Sequence, residues 1–174
     1  MNNNIKIGIL SDSHRKVDLT KKAIKFLKTK NIDYIIHAGD LEIIENLELL
    51  KKSNLPYACV FGNNDHNLYH LAHEYKIKQE PYYFKINEIS FKLMHLPFYL
   101  TSDTNIVISG HTHMHEVSYV NNTLFLNSGE VCARNKNLTE NIFLEITKNE
   151  YIIEYNFREI NSSKWQTKIT KYER

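Results

Sequence analysis

The sequence predicts an α/β fold: a single domain over residues 1–174 in which two sheets pack face to face with helices outside. Short β-rich runs alternate with helical patterns through the first half, and from residue 82 onward the pattern becomes almost wholly β. A length of 174 residues, 42% hydrophobic and 24% charged, suits one sizeable core and would be cramped for two.

The elements follow in order. IKIGIL at 5–10 reads as the first strand. Asp18 is placed to cap a helix over 19–30, where Leu19, Ala23, Phe26 and Leu27 recur on one face. DYIIHAG at 33–39 is the second strand. Ile43, Ile44, Leu47 and Leu50 give a second amphipathic helix that ends before Pro56, and PYACVFG at 56–62 supplies a third strand. A short helical or irregular piece follows at 67–75. Then come YYFKI, ISFKLMH, NIVISG, EVSYV, TLFLNS, NIFLEIT and YIIEYNF, punctuated by the turn signals Asn87-Glu88, Asn121-Asn122 and Asn149-Glu150. The tail SSKWQTKITKYER reads by default as a basic, solvated face, with a last strand or an interface as the other readings. There is no internal repeat, low-complexity segment or obvious linker.

Composition excludes several classes. The opening MNNNIKIGIL has an apolar stretch too short, and too interrupted by Lys6, for a signal peptide, and no run approaches membrane-spanning length. The expectation is a soluble, cytoplasmic protein with no membrane partner. Cys59 and Cys132 sit in apolar surroundings and read as buried free thiols, since a lone pair is no disulfide framework. The formal charge is +2 and the lysines are scattered, which argues against dedicated nucleic-acid binding. Nine histidines are many for this length, and several stand at the ends of apolar runs.

That placement carries the chemistry. IKIGIL runs into Asp12 and His14, YIIHAG into Asp40, YACVFG into Asn63, FKLM into His95, and IVISG into His111 and His113. The crevice of an open α/β sheet lies beyond the carboxyl ends of its strands, so these five segments can converge at one rim. The i, i+2 spacing of Asp12 with His14 and of His111 with His113 puts both side chains on one side of an extended backbone. Gly39, Gly62 and Gly110 each precede a candidate ligand and permit a close backbone approach. Singly, Asp12 is a turn residue, His95 a core histidine and Asn63 the left-handed residue after Gly62. Their recurrence at strand ends calls for a common cause, a shared metal cluster. The remaining histidines, His37, His66, His70, His73 and His115, are read as structural or exposed.

In this order, D-x-H, G-D, G-N-x-D, H and G-H-T-H resemble the calcineurin-like metallophosphoesterase superfamily, most nearly its short bacterial and archaeal phosphodiesterase branch. The resemblance implies a four-layer fold of two mixed sheets flanked by helices. It implies one metal held by Asp12, His14, Asp40 and His113, and a second by Asp40, Asn63, His95 and His111, with Asp40 bridging. A carboxylate can span two cations roughly 3.5–4 Å apart that generate hydroxide near neutral pH and neutralise phosphoryl charge. The implied reaction is hydrolysis of a small phosphodiester, or another organic phosphate, by in-line attack of a metal-bridging hydroxide. Nitrogen and oxygen ligands suit two divalent ions, Mn being favoured and Zn, Fe, Co or Ni compatible.

The chain departs from the family pattern in places. Larger members have a histidine after the metal-binding asparagine where this chain has Asn64, which can donate a hydrogen bond but cannot transfer a proton. Asp65 would orient that neighbour or serve as a turn residue, and both positions are the candidates for catalysis. Leu96-Pro97 replaces the glycine usual after His95, and Asn127-Ser128-Gly129-Glu130 replaces N-P-G-S. Arg134, with Asn63, is the candidate for holding substrate, a surface ion pair being the other reading of Arg134. Two rivals remain at this point: a phosphomonoesterase, and a non-catalytic protein-binding scaffold of the kind that retromer's related subunit exemplifies. The aromatic, β-rich second half would allow a homodimer.

Overall fold

A computed structural model describes residues 4–174, so Met1–Asn3, the start of the expected single domain, lie outside the described residues. The chain runs β1 (Ile5–Leu10), α1 (Val17–Lys28), β2 (Tyr34–His37), α2 (Ile44–Lys52), β3 (Tyr57–Cys59), a 3-10 helix (His66–Leu71), β4 (Tyr82–Ile86), β5 (Ile89–Leu93), β6 (Ile106–Ser109), β7 (His115–Val120), β8 (Thr123–Ser128), β9 (Leu138–Ile146), β10 (Glu150–Glu159) and β11 (Gln166–Glu173). Two sheets form, one of six strands in the order β11-β10-β9-β1-β2-β3 and one of five in the order β4-β5-β6-β8-β7.

Alternation along each strand sorts the side chains into two cores. Ile7 and Ile9 of β1, Ile36 of β2 and Leu144 of β9 meet Phe91, Leu93, Ile108 and Leu126 between the sheets. The opposite face of the six-stranded sheet, through Leu10, Ile35 and Phe143, packs on Leu27 of α1 and on Leu47 and Leu50 of α2. Gly8 lies under α1, where a Cβ would stand 2.9 Å from the side chains of Leu27 and Ile32. The helical flank is thus confined to one side of the sandwich. On the outer face of the five-stranded sheet the described residues place no α-helix. There the fully buried Lys92 projects outward to Asp103 at 2.5 Å and to the Thr101 hydroxyl at 2.7 Å.

Three local expectations are corrected. Asp18 does not cap α1: the capping position is Lys16, without a side-chain cap, and Asp18 sits in the first turn, where its charge favours the helix dipole instead. The second and third strands stop at His37 and Cys59, because the chain bends out of the sheet where it builds the site. The basic tail is a strand, β11, paired antiparallel along β10 from Glu150↔Glu173 to Phe157↔Gln166. It remains almost wholly exposed, which is why its pattern resembles a solvated face. Both cysteines are buried and free, as expected.

The topology fixes where function can sit. β1, β2 and β3 run parallel, as do β5, β6 and β8, so the carboxyl ends of both parallel sets define one rim. No helix among the described residues is long and apolar enough to cross a membrane.

Candidate metal centre

The rim assembles the seven residues that the sequence singles out. The Asp12 carboxylate lies 3.3 Å from His113 Nε2, and His14 Nε2 lies 3.3 Å from that same His113 atom. Asp40 Oδ2 stands 3.8 Å from His14 Nε2 on one side and 3.4 Å from His95 Nε2 on the other. Asn63 Oδ1 is 3.0 Å from His95 Nε2, and the exposed His111 ring meets the His95 ring edge-on at 5.2 Å between centroids. Asp40 therefore stands between the two groups of ligands that the resemblance implies.

The backbone achieves this differently from the extended geometry expected of the i, i+2 pairs. Asp12, His14, Asp40, His111 and His113 all have left-handed φ, between +46° and +67°. Such conformations cost a non-glycine residue on the order of 1–3 kcal/mol each and persist where the surroundings over-determine them. Close packing of the three turns supplies the constraint. A Cβ on Gly62 would overlap the carboxylate and amide of Asp40, and one on Gly110 would overlap the Ser11 hydroxyl. Gly39 is itself left-handed at φ +89°, 2.8 Å from the Gly62 amide when given a Cβ.

The tautomers point the free nitrogens inward. His14 Nδ1 donates to Glu42 at 2.6 Å, His95 Nδ1 to the Ala38 carbonyl at 2.8 Å, and His113 Nδ1 to Glu130 at 2.5 Å. In the neutral ring, each Nε2 carries a lone pair that faces the others and two carboxylates. Asp12 Oδ1 is buried with no hydrogen-bond partner. With the rings neutral the cluster is a set of acceptors that cations can satisfy, so the residues fit divalent metal ions. Burial pushes the Asp12 carboxyl above its ordinary range. Burial pushes Asp40 the same way, but His95 and the Asn64 donors more than reverse it and hold Asp40 below the ordinary range.

Several contributors were invisible to motif reading. Glu42 and Glu130 back two of the imidazoles, and Glu130 is completely buried, its other oxygen accepting the amides of Asn135 and Lys136 at 2.8 Å. Asn46 pins the loop through the His14 and Leu41 carbonyls. Cys132 lies with His14 and His113, their candidate ligand atoms within 4.8 Å of one another. Its thiol is pushed up to about 12 by burial and by Glu130 beside it, and it donates to that carboxylate at 3.3 Å. The one sequence signal for Glu130 is an acid directly after a β-run and a glycine, which spacing alone cannot separate from a turn.

The candidates for catalysis and substrate binding fall in different settings. Asn64 is exposed, and its amide donates to Asp40 Oδ2 at 2.7 Å. Asp65 is wholly buried and accepts the backbone N–H groups of Asp40, Glu42 and Gly62 at 2.9, 2.7 and 2.7 Å. Arg134 is exposed, 3.8 Å from Glu42, on the wall of a cleft of about 630 Å³ that opens beside His14. Of the other histidines, His37 is buried against the Ser13 hydroxyl at 2.7 Å, and His66, His70 and His73 are exposed. His115 stacks on Tyr155 at 3.7 Å between ring centroids.

Comparison with known proteins finds similarity over most of the chain. A model of the calcineurin-like phosphoesterase superfamily domain matches residues 5–149. A phosphodiesterase of Methanocaldococcus jannaschii is 28% identical over 168 residues, covering 84% of this chain and 96% of that protein. A probable metallophosphoesterase of Methanothermobacter thermautotrophicus is 29% identical over 141 residues, covering 71% of this chain and 75% of its own length. Vacuolar protein sorting 29 of Cryptosporidium parvum superposes with a TM-score of 0.79 at 18% identity, covering 98% of this chain and 99% of that one.

Proposed function

Because the chain belongs to the calcineurin-like phosphoesterase superfamily, we propose that it is a metal-dependent phosphodiesterase that hydrolyses small phosphodiesters or related organic phosphates by direct in-line attack of water. The observation that carries this reading is the inward convergence of three imidazole Nε2 atoms on two buried aspartates, one of which has an orphaned oxygen. The archaeal relative named as a phosphodiesterase matches over most of both chains, which supports the diester as substrate.

In this reading Asp12, His14, Asp40 and His113 hold one divalent ion and Asp40, Asn63, His95 and His111 the other. The bound ions supply Lewis acidity that neutralises phosphoryl charge and lowers the pKa of water, with Mn the favoured metal. The chain's own residues supply orientation. Glu42 and Glu130 hold the His14 and His113 rings with Nε2 inward. Asn64 presents an amide donor at the exposed rim, where it can turn from Asp40 to a phosphoryl oxygen without moving a proton. Asp65 is a positioning residue, since its carboxylate is spent on backbone amides and is closed to solvent. Arg134, at the cleft wall, and Asn63 bind substrate.

The likeness to vacuolar protein sorting 29 supports the fold alone. A scaffold has no need of three imidazoles whose Nδ1 atoms are held by Glu42, the Ala38 carbonyl and Glu130, so the enzyme is favoured over it. The test is hydrolysis of bis(p-nitrophenyl) phosphate by chelator-stripped protein, with and without Mn²⁺, alongside Asp40→Ala and His113→Ala. Metal-restored turnover that both substitutions abolish is the expected result. A wild-type protein that binds metal yet turns over no diester would overturn the reading, and faster hydrolysis of p-nitrophenyl phosphate would move it to a monoesterase.

A further inference from the structure

The metal centre has two unlike flanks. The segments that carry Asn63, His95, His111 and His113, residues 58–68 and 93–115, contain no lysine or arginine. The flank beside His14 is cationic. Arg15 and Lys16 follow His14 directly, Arg134 faces them across the cleft of about 630 Å³, and Leu19 and Ile160 add an apolar wall. Glu42 ties the mouth together, its Oε2 3.0 Å from Arg15 Nε and its Oε1 3.8 Å from Arg134 Nη2. Three cations against one carboxylate leave a net positive cleft, and Glu42 also serves His14. A volume of this size takes a group as large as a nucleotide.

From this asymmetry we infer that the cleft is the subsite for a second anionic group of the substrate, and that the preferred substrates are phosphodiesters bearing a further phosphate next to the scissile one. The inference rests on the phosphodiesterase reading and deepens it. The exposed heads of Arg15 and Arg134, 75% and 55% accessible, are free to leave Glu42 for a doubly charged phosphate, to which guanidinium forks bind in two-point fashion. Lys16, at the start of α1, adds a third charge to the cleft lining, and the Leu19 and Ile160 surface covers the apolar edge of the attached group. A diester whose substituents are both uncharged gains nothing from these contacts.

The test compares a thymidine dinucleotide with and without a 5′-terminal phosphate, in the Mn²⁺-loaded wild type and in Arg15→Gln/Lys16→Gln/Arg134→Gln. The added phosphate is expected to lower KM by about tenfold or more in the wild type, and the triple substitution is expected to bring the ratio of kcat/KM for the two dinucleotides close to one. Single Arg15→Gln and Arg134→Gln chains should give intermediate ratios, and their surface positions keep the fold intact. Equal kcat/KM for the two dinucleotides in the wild type overturns the inference, and so does a preference that survives the triple substitution. Hydrolysis of bis(p-nitrophenyl) phosphate in parallel separates this failure from failure of the diesterase reading itself. If no substrate turns over, calorimetric binding of the two dinucleotides decides the matter, with tighter binding of the phosphorylated one to the wild type alone as the supporting result.

Discussion

His113 Nδ1 and Glu130 Oε2 stand 2.5 Å apart in a pocket closed to solvent, and the carboxylate is fixed from behind by the Asn135 and Lys136 amides. Burial alone would raise the Glu130 carboxyl, yet His113 and these amides bring it below its ordinary range. A fixed carboxylate on the far side of a histidine sets its tautomer and makes it a stronger metal ligand. Glu130→Gln is therefore expected to weaken binding of the divalent ion assigned to His113 by about 10–100-fold, read by calorimetric titration of Mn²⁺ into chelator-stripped protein. An unaltered Kd would reduce Glu130 to a packing residue.

Glu42 plays the same part for His14, but it is part-exposed and shared with Arg15. Water can replace much of what Glu42→Gln removes, so its effect on Mn²⁺ affinity is expected to be smaller than that of Glu130→Gln, about tenfold or less. The reverse order in the same titration would mean that the two carboxylates do not act through their histidines.

Asp65 is the clamp between two turns. Asp65→Ala would leave the buried amides of Asp40, Glu42 and Gly62 without an acceptor, at roughly 1–3 kcal/mol each. A loss of about 3–5 kcal/mol, or roughly 10 °C in Tm, is expected. Asp65→Asn, which keeps one acceptor oxygen, should recover part of it and leave the shape of the pH–rate profile as in the wild type. A shifted acidic limb in Asp65→Asn would instead make Asp65 a proton carrier.

The clustering of the seven candidate ligands could be read in the sequence because they lie at the ends of apolar runs, and parallel strands must bring such ends to one rim. IVISG before His111 and IKIGIL before Asp12 carry that signal without any knowledge of packing. What orients the ligands could not be read this way. Glu130 meets His113 from the end of β8, and Glu42 meets His14 from the loop after β2, through contacts that no local period reports. The left-handed backbone at Asp12, His14, Asp40, His111 and His113 is likewise a product of three turns pressed together, since the modest enrichment of Asp and His in that region is too weak to announce it. β11 was obscured for a related reason. An edge strand whose side chains nearly all face water has no apolar alternation to show, and only its ladder with β10 defines it.

Gly62 stands where no side chain fits, because a Cβ at that position would fall on the Asp40 amide and carboxylate. Both are anchored, the amide by Asp65 and the carboxylate by Asn64, so neither can yield cheaply. Gly62→Ala is expected to displace Asp40 and to lose the second metal equivalent in elemental analysis after gel filtration, with a destabilisation of about 1–3 kcal/mol. Two equivalents retained at wild-type Tm would show that the turn relaxes.

His37 gives the apo protein an acid-sensitive point. It is completely buried beneath the site and bonded to Ser13 at 2.7 Å, and burial, with the neighbouring His95 adding to it, depresses its imidazole to about 3. The unfolded chain takes up that proton near pH 6.5, whereas the folded chain refuses it until far lower. Between those values the unfolded state binds more protons, so stability is full above about pH 6.5 and falls as pH drops, at up to about 1.4 kcal/mol per unit. His37→Gln keeps a polar partner for Ser13 but cannot protonate. Chelator-stripped His37→Gln should therefore show a shallower fall in urea midpoint between about pH 6.5 and 4 than the stripped wild type. Stripping the metal from both keeps loss of the ions out of the comparison. Parallel curves would place the acid sensitivity elsewhere, in the carboxylate and imidazole cluster above it.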